Sequence, residues 1–328
     1  MEFYTQVSIP SAGFLFSYAD EILLLGSCFA GEMGRRLGED RFRVTSNPFG
    51  LLYNPLSMAR SLQRMLHPEP FTLDDLHPYE GLYHSFAHHG SFSSPSPREA
   101  LSGMNRELAV AAECMGRISR LILTFGTAWV YRLRDTGEAV ANCHKLPERF
   151  FLRERLDVEE VTGLWDAVLQ TLWKARPDTR VVLTVSPVRH WKETAQGNQL
   201  SKAVLLLAAD RLQKRYPEQI AYFPAYEILM DELRDYRFYA ADMLHPSPQA
   251  ADYITGQFYR AFLDAESHKT LAEWRGIQKD LSHLPLHPAT EAYRKFVVQT
   301  LLKVKTFSGK FPYFDLSRET NLLQSKLK

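Results

Sequence analysis

Two pairs of residues could carry nucleophilic chemistry. Ser27 and Cys28 stand side by side directly after a short apolar run, and Asp242 precedes His245 by three positions. A hydroxyl or thiol attacks a carbonyl carbon when a histidine removes its proton, and a nearby carboxylate can hold that histidine in the required tautomer. An Asp-x-x-His sequence also fits an ordinary loop, so its meaning depends on whether the fold brings it to Ser27 and Cys28.

Short apolar runs alternate with helical patterns, and these elements must position the four residues. The runs of strand length lie at 22–25, 42–45, 121–125, 181–185 and 220–223, and the helix-period segments lie at 54–66, 158–174 and 199–216. This alternation predicts an α/β fold with at least five parallel strands covered on both faces. Ligands of such sheets bind at the carboxyl ends of the strands, which is where Ser27 and Cys28 follow the first run.

The segment 199–216 has a predicted buried stripe of its own. Leu200, Val204 and Leu207 recur at helical spacing, so we expect them to face the sheet. On the same pattern Lys202 is predicted to stay in water.

Two regions depart from the alternation. Residues 67–118 are predicted to be an inserted loop region, since their first part is rich in Pro, His and Ser. After a catalytic domain at 1–265, residues 266–328 are predicted to be a helical extension, with helices at 270–281 and 289–304.

Three histidines of the inserted region, His84, His88 and His89, lie within six positions. No acidic or thiol partner stands at ligand spacing, so we expect a polar contact in a lid and neither a metal nor a cofactor. The aromatic residues Tyr236, Phe238 and Tyr239 are predicted to pack around the Asp242 loop rather than to form a platform for a sugar.

Composition excludes several classes of protein. The 39 Lys and Arg against 38 Asp and Glu give a net charge of +1, which supplies no global field for nucleic acid. No apolar run reaches the roughly 18 residues that cross a bilayer, so we expect no membrane partner. Three cysteines without a CxxC spacing indicate reduced thiols in a cytoplasm. Residues 25–28 match a lipoprotein cleavage box, but the segment before them lacks a basic start.

Residues 26–30 read Gly-Ser-Cys-Phe-Ala, and on this motif the chain resembles the bacterial GSCFA family. Further segments that resemble the family's signatures lie, in the expected order, at 47–50, 53–55, 142–145, 186–190, 231–239 and 242–247. The resemblance covers about residues 20–262 and implies a distant relation to SGNH (GDSL-type) hydrolases. It implies a flavodoxin-like three-layer α/β/α sandwich with an SGNH-type site.

The resemblance implies catalytic roles for several residues, and it also shows where this sequence departs from the SGNH pattern. Aligning Gly26 with the glycine of the Gly-Asp-Ser-Leu turn places Cys28 at the nucleophile, with Ser27 as its rival or as a helix N-cap. Gly50 resembles the second oxyanion donor. The Gly-x-Asn expected after the third strand is replaced by Gly126-Thr127-Ala128, so Thr127, or Asn142 from a later loop, would replace the missing asparagine.

Cationic and polar residues follow two other runs. Asn142, His144 and Lys145 form one group, and Arg189 with His190 form another. Near the strand ends they would suit a carboxylate, phosphate or sugar-linked substrate, whereas surface ion pairs and structural hydrogen bonds are the alternative.

These features favour an esterase or deacylase that acts on a small-molecule or glycan-type acyl substrate, such as an acylated sugar or a cell-envelope precursor. In this hypothesis Cys28 or Ser27 attacks, His245 is the base and Asp242 orients it. An acyltransferase would use the same site with another acceptor. A ligand-binding module on a hydrolase-like scaffold is the third hypothesis, which the missing third-strand asparagine supports.

Overall fold

The computed structural model of the protein describes residues 4–327, and ten strands and ten helices lie within that range. The strands are β1 (Glu21–Gly26), β2 (Arg43–Ser46), β3 (His77–Tyr79), β4 (Leu82–His84), β5 (Arg120–Phe125), β6 (Trp129–Leu133), β7 (Ala139–Val140), β8 (Phe151–Arg155), β9 (Arg180–Val185) and β10 (Ile220–Tyr222). The helices are α1 (Cys28–Glu39), α2 (Pro55–Leu66), α3 (Pro97–Arg117), α4 (Val158–Ala175), α5 (Thr194–Arg215), α6 (Ala225–Glu227), α7 (Pro248–Phe262), α8 (Ala265–Leu281), α9 (Glu291–Lys310) and α10 (Ser317–Ser325). No helix among these residues is long and apolar enough to span a bilayer.

Five strands form the central sheet in the order β2-β1-β5-β9-β10, and every neighbouring pair is parallel. This is the flavodoxin-like order, in which the chain moves first to one side of β1 and then to the other. The prediction of a parallel α/β fold is therefore confirmed. The carboxyl ends of β1 and β5 are adjacent at the point where the strand order reverses, and a ligand site is expected there.

Both faces of the sheet are buried. Leu23 and Leu25 of β1 belong to one apolar cluster that includes Met58 of α2, Met104 of α3 and Trp165 of α4. Ile22 and Leu24 point to the opposite face by strand alternation and are also fully buried. Strands with helices on both faces have to be apolar throughout, which is why the sequence predicted them correctly.

Helix α3 lies inside the region that the sequence assigned to an inserted loop. Ser96 accepts a hydrogen bond from the backbone N–H of Glu99, and Pro97 occupies the first turn, so the Pro- and Ser-rich stretch begins a helix. Its buried side chains include Met104 and Leu108. Only the part before Ser96 matches the predicted loop region, and it also contains the antiparallel hairpin of β3 and β4, which was not predicted.

The buried face of helix α5 differs from the predicted one. Leu200 and Leu207 are exposed, and the buried face instead carries the residues Asn198, Ser201, Lys202, Leu205, Ala208, Ala209 and Leu212. The small residues Ser201 and Ala208 let the helix lie close to its neighbours, so the stripe follows small side chains rather than the largest apolar ones. The prediction that Lys202 stays in water is wrong.

The second compact unit comprises Glu39–Arg41 and the chain from Leu263 onward. Its helices α8, α9 and α10 enclose Trp274 and Phe307, whose ring centroids lie 5.7 Å apart. The Trp274 Nε1–H donates to the carbonyl of Glu39 at 2.8 Å, and Arg275 pairs with Asp40 at 2.7 Å. The two helices predicted here are present, and α10 is an additional one.

We predict that His88 makes the fold acid-sensitive. Its ring is buried against Phe49, Phe71 and Phe92, with centroids 4.6 to 4.8 Å apart. Burial is the main cause that lowers the pKa of His88 to about 3, whereas an unfolded histidine titrates near pH 6.5. Only the unfolded chain binds this proton between those values, so stability is complete above about pH 6.5 and falls as the pH decreases toward 3.

The measurement is denaturant unfolding of the wild type and of His88→Gln at pH 8 and pH 5. The wild type should lose about 2 kcal/mol more than the variant over this interval. His67→Gln, which alters an exposed histidine, is the control and should follow the wild type. Equal losses in the wild type and His88→Gln would contradict the prediction.

Candidate active site

The turn after β1 depends on a glycine. Gly26 has a φ of +145°, and a Cβ at this position would lie 2.3 Å from the carbonyl oxygen of Thr124 on β5. The Gly26 N–H donates to the Asn47 side chain at 2.8 Å, which fixes the turn from the β2 side. The chain then passes through Ser27 and begins α1 at Cys28, so both predicted nucleophiles lie at the carboxyl end of β1.

Ser27 is almost fully buried, and it borders a cavity that Cys28 also lines. Its side chain is 1% exposed, and its hydroxyl donates to the Ser186 hydroxyl at 3.0 Å, just past the end of β9. Its carbonyl accepts from the Gly31 N–H at 3.2 Å, as the first helical hydrogen bond of α1.

Cys28 is half-buried and lines a cavity of about 450 Å³ together with His245, Tyr53 and His190. We call this space the nucleophile cavity. Burial raises the pKa of the Cys28 thiol, and the Asp242 charge acts in the same direction. The backbone N–H groups of Phe29 and of Cys28 itself lower the pKa, as the sequence predicted for a helix N-terminus, but burial outweighs them.

Asp242 and His245 meet within one tight loop. Asp242 Oδ2 lies 2.5 Å from His245 Nδ1, and Asp242 Oδ1 accepts from the backbone N–H groups of Leu244 and His245 at 2.9 and 3.0 Å. Met243 takes a φ of +60° to close the turn. The His245 and Leu244 N–H groups and then the imidazole lower the pKa of Asp242 to about 2, so the carboxylate stays ionised. Since Nδ1 is engaged, Nε2 is the ring nitrogen left to exchange a proton.

The predicted oxyanion donors are engaged elsewhere. The Gly50 N–H donates to the Asn47 carbonyl at 2.7 Å, and Gly50 lines a separate surface depression beside His89. The N–H groups of Gly126 and Thr127 both donate to the Tyr53 carbonyl at 2.9 Å. Thr127 nevertheless lines the nucleophile cavity, with its hydroxyl 3.1 Å from that of Ser201, and the N–H groups of Cys28 and Phe29 at the start of α1 lower the Cys28 pKa.

The polar groups at 142–145 and 189–190 separate in the structure. Asn142 accepts from the His144 N–H at 2.8 Å, His144 Nε2 contacts the Ser85 carbonyl at 2.8 Å, and Lys145 is exposed. None of these three lines the nucleophile cavity, whereas Arg189 and His190 both do. Of the expected cationic side chains only Arg189 therefore lies at this site, where Lys192 also lines the cavity.

Buried histidines around the site are neutral at ordinary pH. Burial is the main cause that lowers the pKa of His190 to about 4, and the charges of Lys202 and His245 act in the same direction. Burial also lowers the pKa of His144 to about 4. Among residues 4–327, no group of three or more His, Cys, Asp or Glu side chains is arranged to hold a metal ion.

A second cavity of about 490 Å³ adjoins the first, and we call it the outer cavity. Arg189, Trp191 and Leu244 line both cavities, and Asp242 lines the outer one. Tyr236, which the sequence predicted to pack around the Asp242 loop, lines the outer cavity and is 76% exposed. That packing prediction is wrong for Tyr236.

Two polar residues near the site were missed by the sequence interpretation. Lys202 of α5 lies beneath the strand ends, with Nζ within 2.8 Å of the Gly126 carbonyl and 2.7 Å of the Ser186 carbonyl. The small neighbours Ser201 and Ala208 were the signal for this buried face. Glu193 lines the nucleophile cavity and pairs with Arg153, a contact across the chain that spacing cannot reveal.

Comparison with known proteins identifies the family. Residues 21–258 match the model of the GSCFA family, and residues 274–328 match that of the GSCFA domain protein, C-terminal domain. A search of curated proteins finds no match.

Solved structures of similar fold include two bacterial proteins. A Streptococcus pneumonia protein named for platelet activating factor is 13% identical, with a TM-score of 0.38, and the match covers 73% of this chain and 83% of that one. An acetyl xylan esterase (Est2A) from the rumen bacterium Butyrivibrio proteoclasticus is 11% identical, with a TM-score of 0.38, and the match covers 75% of this chain and 64% of that one. The family models carry the assignment, and the chain belongs to the GSCFA family.

Proposed function

We propose that the protein is an SGNH-like acyl hydrolase, an esterase or deacylase whose nucleophile is Cys28. The observation that carries the proposal is that Cys28 and His245 line one cavity, with Asp242 bound to the far ring nitrogen of His245. A nucleophile, a base and a group that orients the base are the parts that acyl transfer requires. The buried hydroxyl of Ser27, which is bonded to Ser186, supports the thiol as the attacking group.

The reaction begins with a neutral thiol, because burial raises the Cys28 pKa. His245 Nε2 takes the thiol proton as sulfur attacks the ester carbonyl carbon, and Asp242 stabilises the imidazolium. The carbonyl electron pair moves onto oxygen beside the Cys28 and Phe29 N–H groups. When it returns, the bond to the alcohol breaks, and the imidazolium protonates the leaving oxygen. Water then attacks the thioester with His245 as base, which releases the acid and restores the thiol.

The two adjoining cavities suggest how an ester is held. Trp129, Tyr131 and Cys143 give the nucleophile cavity apolar walls for one side of the ester. The outer cavity combines the exposed rings of Tyr236 and Trp191 with charged groups. Flat aromatic faces beside hydrogen-bonding groups suit a hydroxylated ring better than an acyl chain, so an acylated sugar or cell-envelope precursor is the substrate class that we propose.

The outer cavity also favours acyl transfer as a second candidate. An acceptor alcohol bound there would attack the thioester in place of water, and the residues in contact with the reacting atoms would be the same. Acylated product in the presence of added alcohol would distinguish transfer from hydrolysis.

We predict that Cys28→Ala removes ester hydrolysis. Turnover of p-nitrophenyl acetate should fall by roughly a thousandfold, because no other group at the turn replaces the sulfur. Cys114→Ala changes a buried thiol that lines neither cavity, so its rate should stay near that of the wild type. Ser27→Ala should lose far less activity than Cys28→Ala, since it removes only the contact with Ser186.

Three results would contradict this prediction. If Ser27→Ala is inactive and Cys28→Ala is fully active, the nucleophile is the serine. If neither change affects turnover, the hydrolysis does not use this turn. If the wild type hydrolyses no ester, the protein is a binding module on a hydrolase-like fold.

We further predict that Tyr236 recognises the sugar side of the ester. Tyr236→Ala should raise KM for an acetylated methyl glycoside about tenfold with kcat nearly unchanged, because it removes a stacking surface away from the reacting atoms. p-Nitrophenyl acetate should be hydrolysed as by the wild type.

Tyr236→Phe keeps the ring and should stay close to the wild type on both esters. Phe150→Ala is the matched control, since Phe150 is 45% exposed and lines neither cavity. An equal effect of Tyr236→Ala on both esters would place its role in folding and not in recognition.

A further inference from the structure

Lys202 is a buried ammonium that the proposed reaction leaves without a role. Its side chain extends from α5 and is 1% exposed. Nζ donates to the carbonyl oxygens of Gly126 and Ser186 at 2.8 and 2.7 Å, which are the residues directly after β5 and β9. Burial lowers the pKa of Lys202 to about 7. Removing an ammonium from water is costly, so its retention calls for an interaction that needs the charge.

No carboxylate supplies that interaction directly. Among the described residues, the hydrogen bonds of Nζ are to the two carbonyl oxygens, and Nζ lies 5.5 Å from the ring centroid of Tyr226. The charged and titratable groups that act on it are Cys28 and Glu193, which favour the ammonium, and Arg189, which opposes it. Cys28 has the largest effect of the three.

The hydrogen bonds of Lys202 lead directly to the nucleophile turn. Ser186, whose carbonyl Lys202 holds, also accepts the hydroxyl hydrogen bond of Ser27 at 3.0 Å. Gly126, whose carbonyl is the other partner, packs against Ser27, since a Cβ on this glycine would lie 3.5 Å from Ser27 Cβ. Lys202 is therefore linked to the Ser27–Cys28 turn through Gly126 and Ser186, and it does not itself line the nucleophile cavity.

We propose that Lys202 is a positioning residue for Cys28, whose buried ammonium fixes the two strand ends and supplies the positive charge that a thiolate at Cys28 requires. The interaction is reciprocal, because the Lys202 charge lowers the Cys28 pKa and a Cys28 thiolate raises the Lys202 pKa. Asp242 acts on Cys28 in the opposite direction. Use of this charge in catalysis rests on the proposed acyl hydrolase function, whereas its effect on the thiol does not.

A purely structural lysine would only connect the carbonyls of Gly126 and Ser186. Lys202→Gln separates the two roles, since the amide N–H₂ still donates but the charge is gone. Lys202→Arg keeps the charge on a larger group. Cys143 is an internal control because it lines the same cavity, and the charges that act on it are those of Lys192 and Glu148.

The experiment is iodoacetamide alkylation of the full chain between pH 6 and pH 10, with each cysteine quantified by mass spectrometry. In Lys202→Gln the Cys28 profile should move up by about one pH unit, which lowers its alkylation rate at pH 7.5 about tenfold. The Cys143 profile should stay where it is in the wild type, and Lys202→Arg should leave the Cys28 profile close to the wild type. Superimposable Cys28 profiles in Lys202→Gln and the wild type would overturn the proposal.

The wild type gives a second measurement if the variants do not fold. Loss of a proton from the coupled Lys202 and Cys28 pair near pH 7 should make the Cys28 profile depart from a single titration curve, and a single curve would overturn the proposal. No ester is needed in either measurement. If the Cys28 profile shifts in Lys202→Gln but the wild type hydrolyses no ester, the charge effect stands and the proposed function is wrong. If the wild type hydrolyses esters but the Cys28 profile does not shift, the proposed function stands and the charge effect is wrong.

Discussion

The close approach of β1 and β5 at Gly26 determines where the chemistry can occur. Gly26 pairs with Thr124 in the parallel register, and a Cβ would lie 2.3 Å from the Thr124 carbonyl oxygen. Without a side chain at Gly26, the chain leaves β1 with a positive φ and places Ser27 toward the interior and Cys28 at the cavity. A larger residue would have to separate the two central strands.

Much of this arrangement could be predicted because it follows from local pattern. Strands β1, β5 and β9 are buried on both faces and are largely apolar, so they stand out in the sequence, whereas the edge strand β2 reads Arg-Val-Thr-Ser and is exposed or half-buried. The positions that follow β1 and the last strand then indicate where Cys28 and His245 should meet. The contact between Asp242 and His245 is also local, since three residues suffice to close the loop.

The rest of the candidate site depends on contacts between residues that are far apart in the sequence. The Tyr53 carbonyl takes the N–H groups of Gly126 and Thr127, and no spacing in the sequence indicates that Tyr53 reaches them. The face of α5 was mispredicted because Leu200 and Leu207 outweigh Ser201 in any hydrophobic pattern, although close packing selects the small residue. Lys202 was misplaced by the same error, since its burial becomes evident only when its two carbonyl partners are known.

In the proposed reaction, Cys28 carries a negative charge that its resting thiol lacks. Burial raises the Cys28 pKa and lowers that of His190, so both groups are neutral at rest, although the charged side chains of Arg189, Lys192 and Glu193 line the same cavity. A sulfur that loses its proton would be stabilised by the charge of Lys202, which lowers the Cys28 pKa, and by the imidazolium of His245 in the same cavity. Both cations act on a site from which water is partly excluded, where a charge interaction is stronger than in bulk water. The resting thiol is therefore less reactive than an exposed one, and the proposed reaction depends on His245 to remove its proton.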